Sequence, residues 1–111
     1  DYRHILEASL KANPQLRIVL LDPFILPSGR LKDQQAYSSR RKETDKMRVV
    51  VTKLAKDYQA AHLQTQELFD QAASEVGAEN WIWDGIHPLP QGHELIARNW
   101  LDIVATRWPK A

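Results

Sequence analysis

Two residues three positions apart, Asp84 and His87, are the pair in this sequence that is best suited to chemistry. A histidine acts as a general base when one ring nitrogen faces a nucleophile and an acceptor bound to the other nitrogen fixes the tautomer. Asp84 can be that acceptor. Gly85 lets the backbone turn between the two residues, and Pro88 disfavours helical geometry at His87. The spacing therefore predicts a tight loop that holds the acid and the base of a hydrolase triad.

Two other interpretations of the pair stay open from the residues alone. The carboxylate could cap and brace a loop without doing any chemistry. Both side chains are also metal-ligand types, but the other histidines stand at no convincing ligand spacing, so we expect no metal site. Those histidines are His4, His62 and His93. Each is more typical of a surface residue or of a hydrogen-bonded structural residue.

The composition favours a single globular domain. Of the 111 residues 43% are hydrophobic, four tryptophans among them, which is enough apolar material for a core. Fifteen basic and fourteen acidic residues leave a net charge of +1, so we expect no nucleic-acid partner. No window approaches the roughly 18 apolar residues of a membrane span, and the start of the chain is no signal peptide. We expect a soluble protein, either cytoplasmic or secreted.

Helical and strand patterns alternate along the chain, which is typical of a doubly wound α/β fold. The branched aliphatic run of residues 16–22 predicts a strand buried on both faces of a parallel sheet. The other predicted elements are a helix that starts at residue 2 and stops at residue 13, a loop over 24–39, a helix over 44–58, a strand over 60–65, a helix over 66–76, a loop over 79–90 and a helix over 90–107. Two strands cannot cover four helices, so we expect residues outside this chain to complete the sheet.

The predicted loop over 24–39 leaves the carboxyl end of a strand, which is where ligands bind in open α/β sheets. Loops of this length in compact domains are uncommon and are often functional. Phe24, at the start of this loop, is therefore a candidate substrate contact. Two further candidates are Trp83 and Ile86, which stand beside the acid–base pair. The alternative for the aromatic side chains is packing in the core or in a lid.

The segment around the pair resembles the last conserved block of the SGNH (GDSL-type) hydrolases. In that family the block reads Asp-x-x-His, commonly Asp-Gly-x-His-Pro, followed by a Gly-His pair and a closing helix with an aromatic residue. Residues 84–88, Gly92, His93 and Trp100 all match this pattern, and we expect Trp100 to pack inward. The order of helices and strands upstream also fits, so the resemblance spans essentially the whole chain but only the back half of the family's domain.

The resemblance implies a three-layer α/β/α, flavodoxin-like fold with a parallel sheet, incomplete in this chain. It also implies ester hydrolysis without a cofactor, in which His87 is the general base and Asp84 orients it. The implied substrate is a small acyl ester or an acylated carbohydrate.

The family's nucleophile and oxyanion hole have no counterpart here. The serine of the family stands in a Gly-Asp-Ser block near the start of the domain, and the oxyanion hole uses a Gly-x-Asn-Asp block. No serine of this chain follows Gly-Asp, the serines being Ser9, Ser28, Ser38, Ser39 and Ser74. We expect an N-terminal segment of the same domain to supply both parts, and we expect the isolated chain to be inactive. The rival from another class is a non-catalytic α/β binding module in which Asp84 and His87 only brace a loop.

Overall fold

Two short parallel strands lie at the centre of the structure, a computed structural model that describes residues 1–110. Strand β1 (Val19–Leu21) pairs with β2 (Ala61–Leu63), so that Val19 lies opposite Ala61 and Leu21 opposite Leu63. Within residues 1–110 each strand has one partner, which leaves its other edge unpaired. Both predicted strands are confirmed, each shorter than the pattern indicated.

In residues 1–110 four α-helices and two single turns of 3₁₀-helix surround this sheet. The α-helices are α1 (Tyr2–Ala12), α2 (Gln34–Asp57), α3 (Thr65–Glu75) and α4 (Pro90–Arg107), and the 3₁₀ turns are Gly29–Leu31 and Ala78–Asn80. The order is the mixed α/β alternation that the sequence predicts, with a parallel sheet between helices. No helix within residues 1–110 is long and apolar enough to cross a membrane.

Helix α2 begins ten residues before the predicted start, so the predicted loop over 24–39 is shorter. The Asp33 carboxylate caps the helix by accepting a hydrogen bond from the Ala36 N–H at 2.9 Å. Farther along, Arg41 bonds Tyr37 and Asp45, both four residues away, at 3.0 and 2.9 Å. Because this part of the helix is polar, apolar periodicity could not reveal it.

Two apolar clusters form the core. The first joins α1, β1 and α2 through Leu6, Leu20, Val51, Leu54 and Ala55. The second lies beneath the loop that carries the acid–base pair, and consists of Leu26, Phe69, Ala78 and Ile82. Phe69 and Ile82 are fully buried. The second cluster therefore gives the loop over 79–90 a rigid base.

Helix α4 packs less deeply than expected. Leu95 and Ile96 contact the second cluster, but Trp100 is 39% exposed and Leu101 is 60% exposed. The prediction that Trp100 packs inward is wrong: in the described residues α4 packs chiefly against β2 and α3, and the Trp100 side chain is exposed. Apolar side chains are also exposed on α1 and α2, namely Ile5, Met47, Val49 and Val50.

Candidate active site

The structure brings Asp84 and His87 together as the spacing predicts. Asp84 Oδ2 lies 2.5 Å from His87 Nδ1, and Asp84 Oδ1 accepts hydrogen bonds from the backbone N–H groups of Ile86 and His87 at 2.9 and 2.7 Å. An aspartate that binds backbone amides two and three residues on makes a compact turn. The same carboxylate thus shapes the loop with one oxygen and holds the imidazole with the other.

These contacts determine which nitrogen of His87 is free. A carboxylate can only accept, so His87 Nδ1 carries the proton of the hydrogen bond to Asp84. In the neutral ring, Nε2 is then an acceptor. The His87 side chain is 68% exposed, whereas that of Asp84 is 13% exposed. The His87 imidazole is therefore oriented by Asp84 through Nδ1, and its other nitrogen, Nε2, lies on the exposed side chain.

The pKa of Asp84 lies well below its ordinary value of 3.8. Burial raises this pKa, but the hydrogen bonds from the His87 backbone N–H, the His87 ring and the Ile86 N–H together outweigh it. Asp84 is therefore a carboxylate at neutral pH, which is the form that can accept a hydrogen bond from His87 Nδ1–H.

The loop that carries the pair, residues 82–88, closes on itself. An antiparallel bridge joins Ile82 to Pro88, and the Trp83 N–H donates to the His87 carbonyl at 3.3 Å. Gly85 has a φ of +91°, in the region that favours glycine. The prediction that the backbone turns at Gly85 is confirmed. We call residues 82–88 the Asp–His loop.

A second segment, residues 25–29, supports the Asp–His loop, and we call it the bracing segment. The Leu26 N–H donates to the Gly85 carbonyl at 3.0 Å, and the Ser28 hydroxyl donates to the Ile82 carbonyl at 2.5 Å. Gly29 has a φ of +54°, and a Cβ there would lie 2.5 Å from Asp84 Cα. Sequence reasoning missed this role: the Ser28-Gly29 pair indicated a loop, but nothing in the sequence showed what the loop contacts.

Two of the three candidate substrate contacts flank the pair. The Trp83 ring is 58% exposed and lies nearly parallel to the His87 imidazole, with the ring centroids 6.2 Å apart. Ile86 is 43% exposed. Phe24 instead packs against Phe69 of the second cluster at a centroid distance of 4.8 Å and is half-buried.

A second aspartate–histidine pair lies elsewhere in the molecule and was not foreseen as a pair. His62 Nε2 in β2 lies 2.6 Å from Asp22 Oδ1, and Asp22 directly follows β1. Arg48 Nε donates to the other Asp22 oxygen at 3.3 Å. The prediction that His62 is an ordinary or hydrogen-bonded core residue is confirmed by these contacts.

The surroundings of His62 differ from those of the Asp–His loop. A groove of about 400 Å³ between α3 and α4 includes His62 in its wall, together with Glu67 and Asp102. No residue of the Asp–His loop lines it. Within residues 1–110 no three histidine, cysteine or acidic side chains converge as a metal site would require.

Known proteins resemble this chain in sequence and in fold. No protein-family model matches the sequence. An acetylxylan esterase from Geobacillus stearothermophilus is 25% identical over 103 residues, which are 92% of this chain and 44% of the esterase. A crystal structure described as a GDSL-like lipase from Parabacteroides merdae superposes with a TM-score of 0.84 at 27% identity, over 94% of this chain and 46% of that one. These relatives support the resemblance of this chain to the SGNH (GDSL-type) hydrolases.

A crystal structure of Axe2, an acetylxylan esterase from Geobacillus stearothermophilus, matches this chain with a TM-score of 0.69 at 25% identity, over 93% of this chain and 45% of that one. The chain thus spans about half the length of the relatives it matches. The match falls on their C-terminal part.

Proposed function

We propose that this chain supplies the base and the orienting acid of a serine esterase, with His87 as general base and Asp84 as the acid. One observation carries the proposal: in a chain whose relatives are esterases, an ionised carboxylate holds His87 Nδ1 and leaves Nε2 at the surface. That is the arrangement a base needs in order to take a proton from a serine.

The proposed reaction is a two-step acyl transfer. In the first step His87 Nε2 takes the proton of a serine hydroxyl, the serine oxygen attacks the ester carbonyl, and the alcohol leaves with a proton returned from His87. In the second step His87 Nε2 takes a proton from water as the water oxygen attacks the acyl carbonyl. The bond from the acyl carbon to the serine oxygen then breaks, the acid leaves, and His87 returns the proton to the serine oxygen. Asp84 keeps the ring in the required tautomer and stabilises the imidazolium in both steps.

We propose that the serine and the oxyanion hole come from an N-terminal segment of the same domain, so that this chain is inactive without it. Three observations support this. The relatives are about twice as long, and each strand has an unpaired edge in the described residues. Ser28, the serine of the bracing segment, is buried and donates a hydrogen bond from its hydroxyl to the Ile82 carbonyl.

The proposed substrate is a small acyl ester or an acylated carbohydrate. The curated relative is an esterase of acetylated xylan, and the exposed Trp83 ring beside His87 offers an apolar face of the kind that sugar rings contact. Ile86 adds exposed apolar surface on the same loop. Phe24, which is half-buried against Phe69, is the third proposed contact.

Replacing His87 in the complete protein tests the proposal. We expect His87→Ala to lower kcat on p-nitrophenyl acetate by roughly four orders of magnitude. The fold should persist, because the side chain is mostly exposed. His4→Ala, which removes an exposed histidine of α1, is the matched control and should retain full activity.

The alternative, a non-catalytic binding module in which Asp84 only shapes its turn, predicts a different result. It predicts no hydrolysis to lose, or equal turnover in wild type and His87→Ala. Either result contradicts the catalytic role of His87.

A further inference from the structure

The Asp–His loop receives its support from the bracing segment, and the bracing segment is itself held by a buried side chain. Gln66 of α3 is fully buried. Its Oε1 accepts a hydrogen bond from the Ile25 N–H at 2.9 Å, and its Nε2 donates to the Ile25 carbonyl at 2.9 Å. One amide therefore clamps both polar groups of a backbone residue that is 41 positions away in the chain.

The surroundings fix the orientation of this amide. Besides the Ile25 carbonyl, Gln66 Nε2 donates to Asp70 Oδ1 at 3.0 Å. Two acceptors on the nitrogen side and one donor on the oxygen side permit a single placement of the amide group. Asp70 is held in turn by Arg41 of α2, whose two terminal nitrogens bind its two oxygens at 3.0 and 2.8 Å. The clamp is thus anchored on two helices.

The clamped residue leads directly to the catalytic pair. Ile25 is followed by Leu26, whose N–H binds the carbonyl of Gly85, the residue next to Asp84. Three residues farther along, Gly29 lies so close to Asp84 that a Cβ does not fit. A shift of the bracing segment must therefore move the Asp–His loop as well.

We propose that Gln66 is a positioning residue for the catalytic pair. It acts through the bracing segment, which holds Asp84 and His87 in the positions that the reaction requires. This inference rests on the proposed function. The hydrogen bonds of Gln66 go to Ile25 and Asp70 and not to either residue of the pair. Its effect is on geometry, and a misplacement of about 1 Å in a catalytic group can lower the rate of reaction by about 100-fold.

The test is Gln66→Met in the complete protein, with active sites counted by titration with an organophosphate ester so that unfolded molecules do not contribute. Methionine keeps the length of the side chain and removes all three hydrogen bonds. We expect kcat per titrated site on p-nitrophenyl acetate to fall by about 30- to 100-fold, with KM changed by less than about twofold. Gln71→Met, an exposed glutamine on the same helix, is the control and should leave kcat unchanged.

Unchanged kcat per titrated site in Gln66→Met overturns the inference, because a purely structural role would reduce only the number of folded molecules. This failure differs from failure of the proposed function, in which His87→Ala is as active as wild type. The inference is tested only against a wild type whose activity depends on His87.

Gln66→Glu carries the test if Gln66→Met does not accumulate as folded protein. Glutamate keeps an acceptor for the Ile25 N–H, but its carboxylate faces the Ile25 carbonyl and Asp70 Oδ1, where a donor is needed. Protonation of the glutamate restores that donor. We expect the ratio of variant to wild-type kcat per titrated site to rise as pH is lowered. A ratio that stays near one at every pH contradicts the positioning role.

Discussion

The chain holds two aspartate–histidine pairs that differ in what surrounds them. Asp22 and His62 are 40 positions apart in the sequence, and their side chains are only 1% and 16% exposed. Arg48 binds the second oxygen of Asp22. Asp84 and His87 lie on one turn, and backbone N–H groups occupy the second oxygen of Asp84.

The nitrogen that each aspartate binds also differs. His62 uses Nε2, the nitrogen at the tip of its ring, whereas His87 uses Nδ1 and leaves Nε2 exposed. The buried pair links β1, β2 and α2, while the surface pair leaves the His87 side chain mostly exposed. The comparison shows that two aspartate–histidine pairs can present the ring differently. We propose that this presentation, rather than the pairing itself, suits His87 and not His62 to catalysis.

The largest effect should come from Asp84→Asn. The amide cannot hold His87 in the tautomer with a proton on Nδ1, so we expect kcat of the complete protein to fall by about 10⁴-fold. Steady-state hydrolysis of p-nitrophenyl acetate measures it. Activity within about tenfold of wild type would break the distinction between the two pairs.

Asp22→Asn should act on stability instead. Removing one partner from a buried ion pair leaves Arg48 and His62 without their shared carboxylate, and we expect the free energy of unfolding to fall by about 3 kcal/mol. Urea denaturation of the complete protein measures the change, with kcat per folded molecule preserved. Asp102→Asn, at an exposed position on α4, is the control and should stay within about 0.5 kcal/mol of wild type. A fall in kcat per folded molecule would instead place Asp22 in the catalytic machinery.

The pH dependence of stability sharpens the view of Asp84. Because its pKa is lower in the folded protein than the ordinary 3.8, Asp84 stabilises the fold above about pH 4, and this contribution is lost as pH falls through the folded pKa. We therefore expect Asp84→Asn to be less stable than wild type at pH 7 and the gap to narrow below about pH 4. Urea midpoints from pH 7 down to pH 3 check this. A gap that widens on acidification would contradict the lowered pKa.

The smallest effect concerns Trp83, whose exposed ring lies beside His87. Trp83→Ala should raise KM for an acetylated xylo-oligosaccharide by up to about tenfold with little change in kcat, because the loss of an aromatic contact costs about 1 kcal/mol. Trp100→Ala, at an exposed tryptophan on α4, is the matched control. Equal KM values for both variants would remove Trp83 from the substrate site.

The sequence predicted the surface pair and could not predict the buried one, for a physical reason. Asp84 and His87 are close along the chain, and the glycine and proline around them indicate a turn, so local rules suffice. Asp22 and His62 meet only because β1 and β2 pair in one register. That register depends on long-range packing, which spacing does not encode.

The fold shows the same division between local and long-range information. The aliphatic runs predicted both strands, whereas the polar first third of α2 lacked an apolar period and was read as loop. The contact of Gly29 with Asp84 and the clamp of Gln66 on Ile25 join distant segments. Neither of these two contacts can be predicted from the spacing of residues in one sequence.

The central claim is that His87, and not His62, faces the nucleophile. The most direct test is a crystal structure of the complete protein after inactivation by an organophosphate ester. The account predicts a modified serine from outside this chain whose Oγ lies within about 3.2 Å of His87 Nε2. A modified residue that lies beside His62, or away from both histidines, would contradict it.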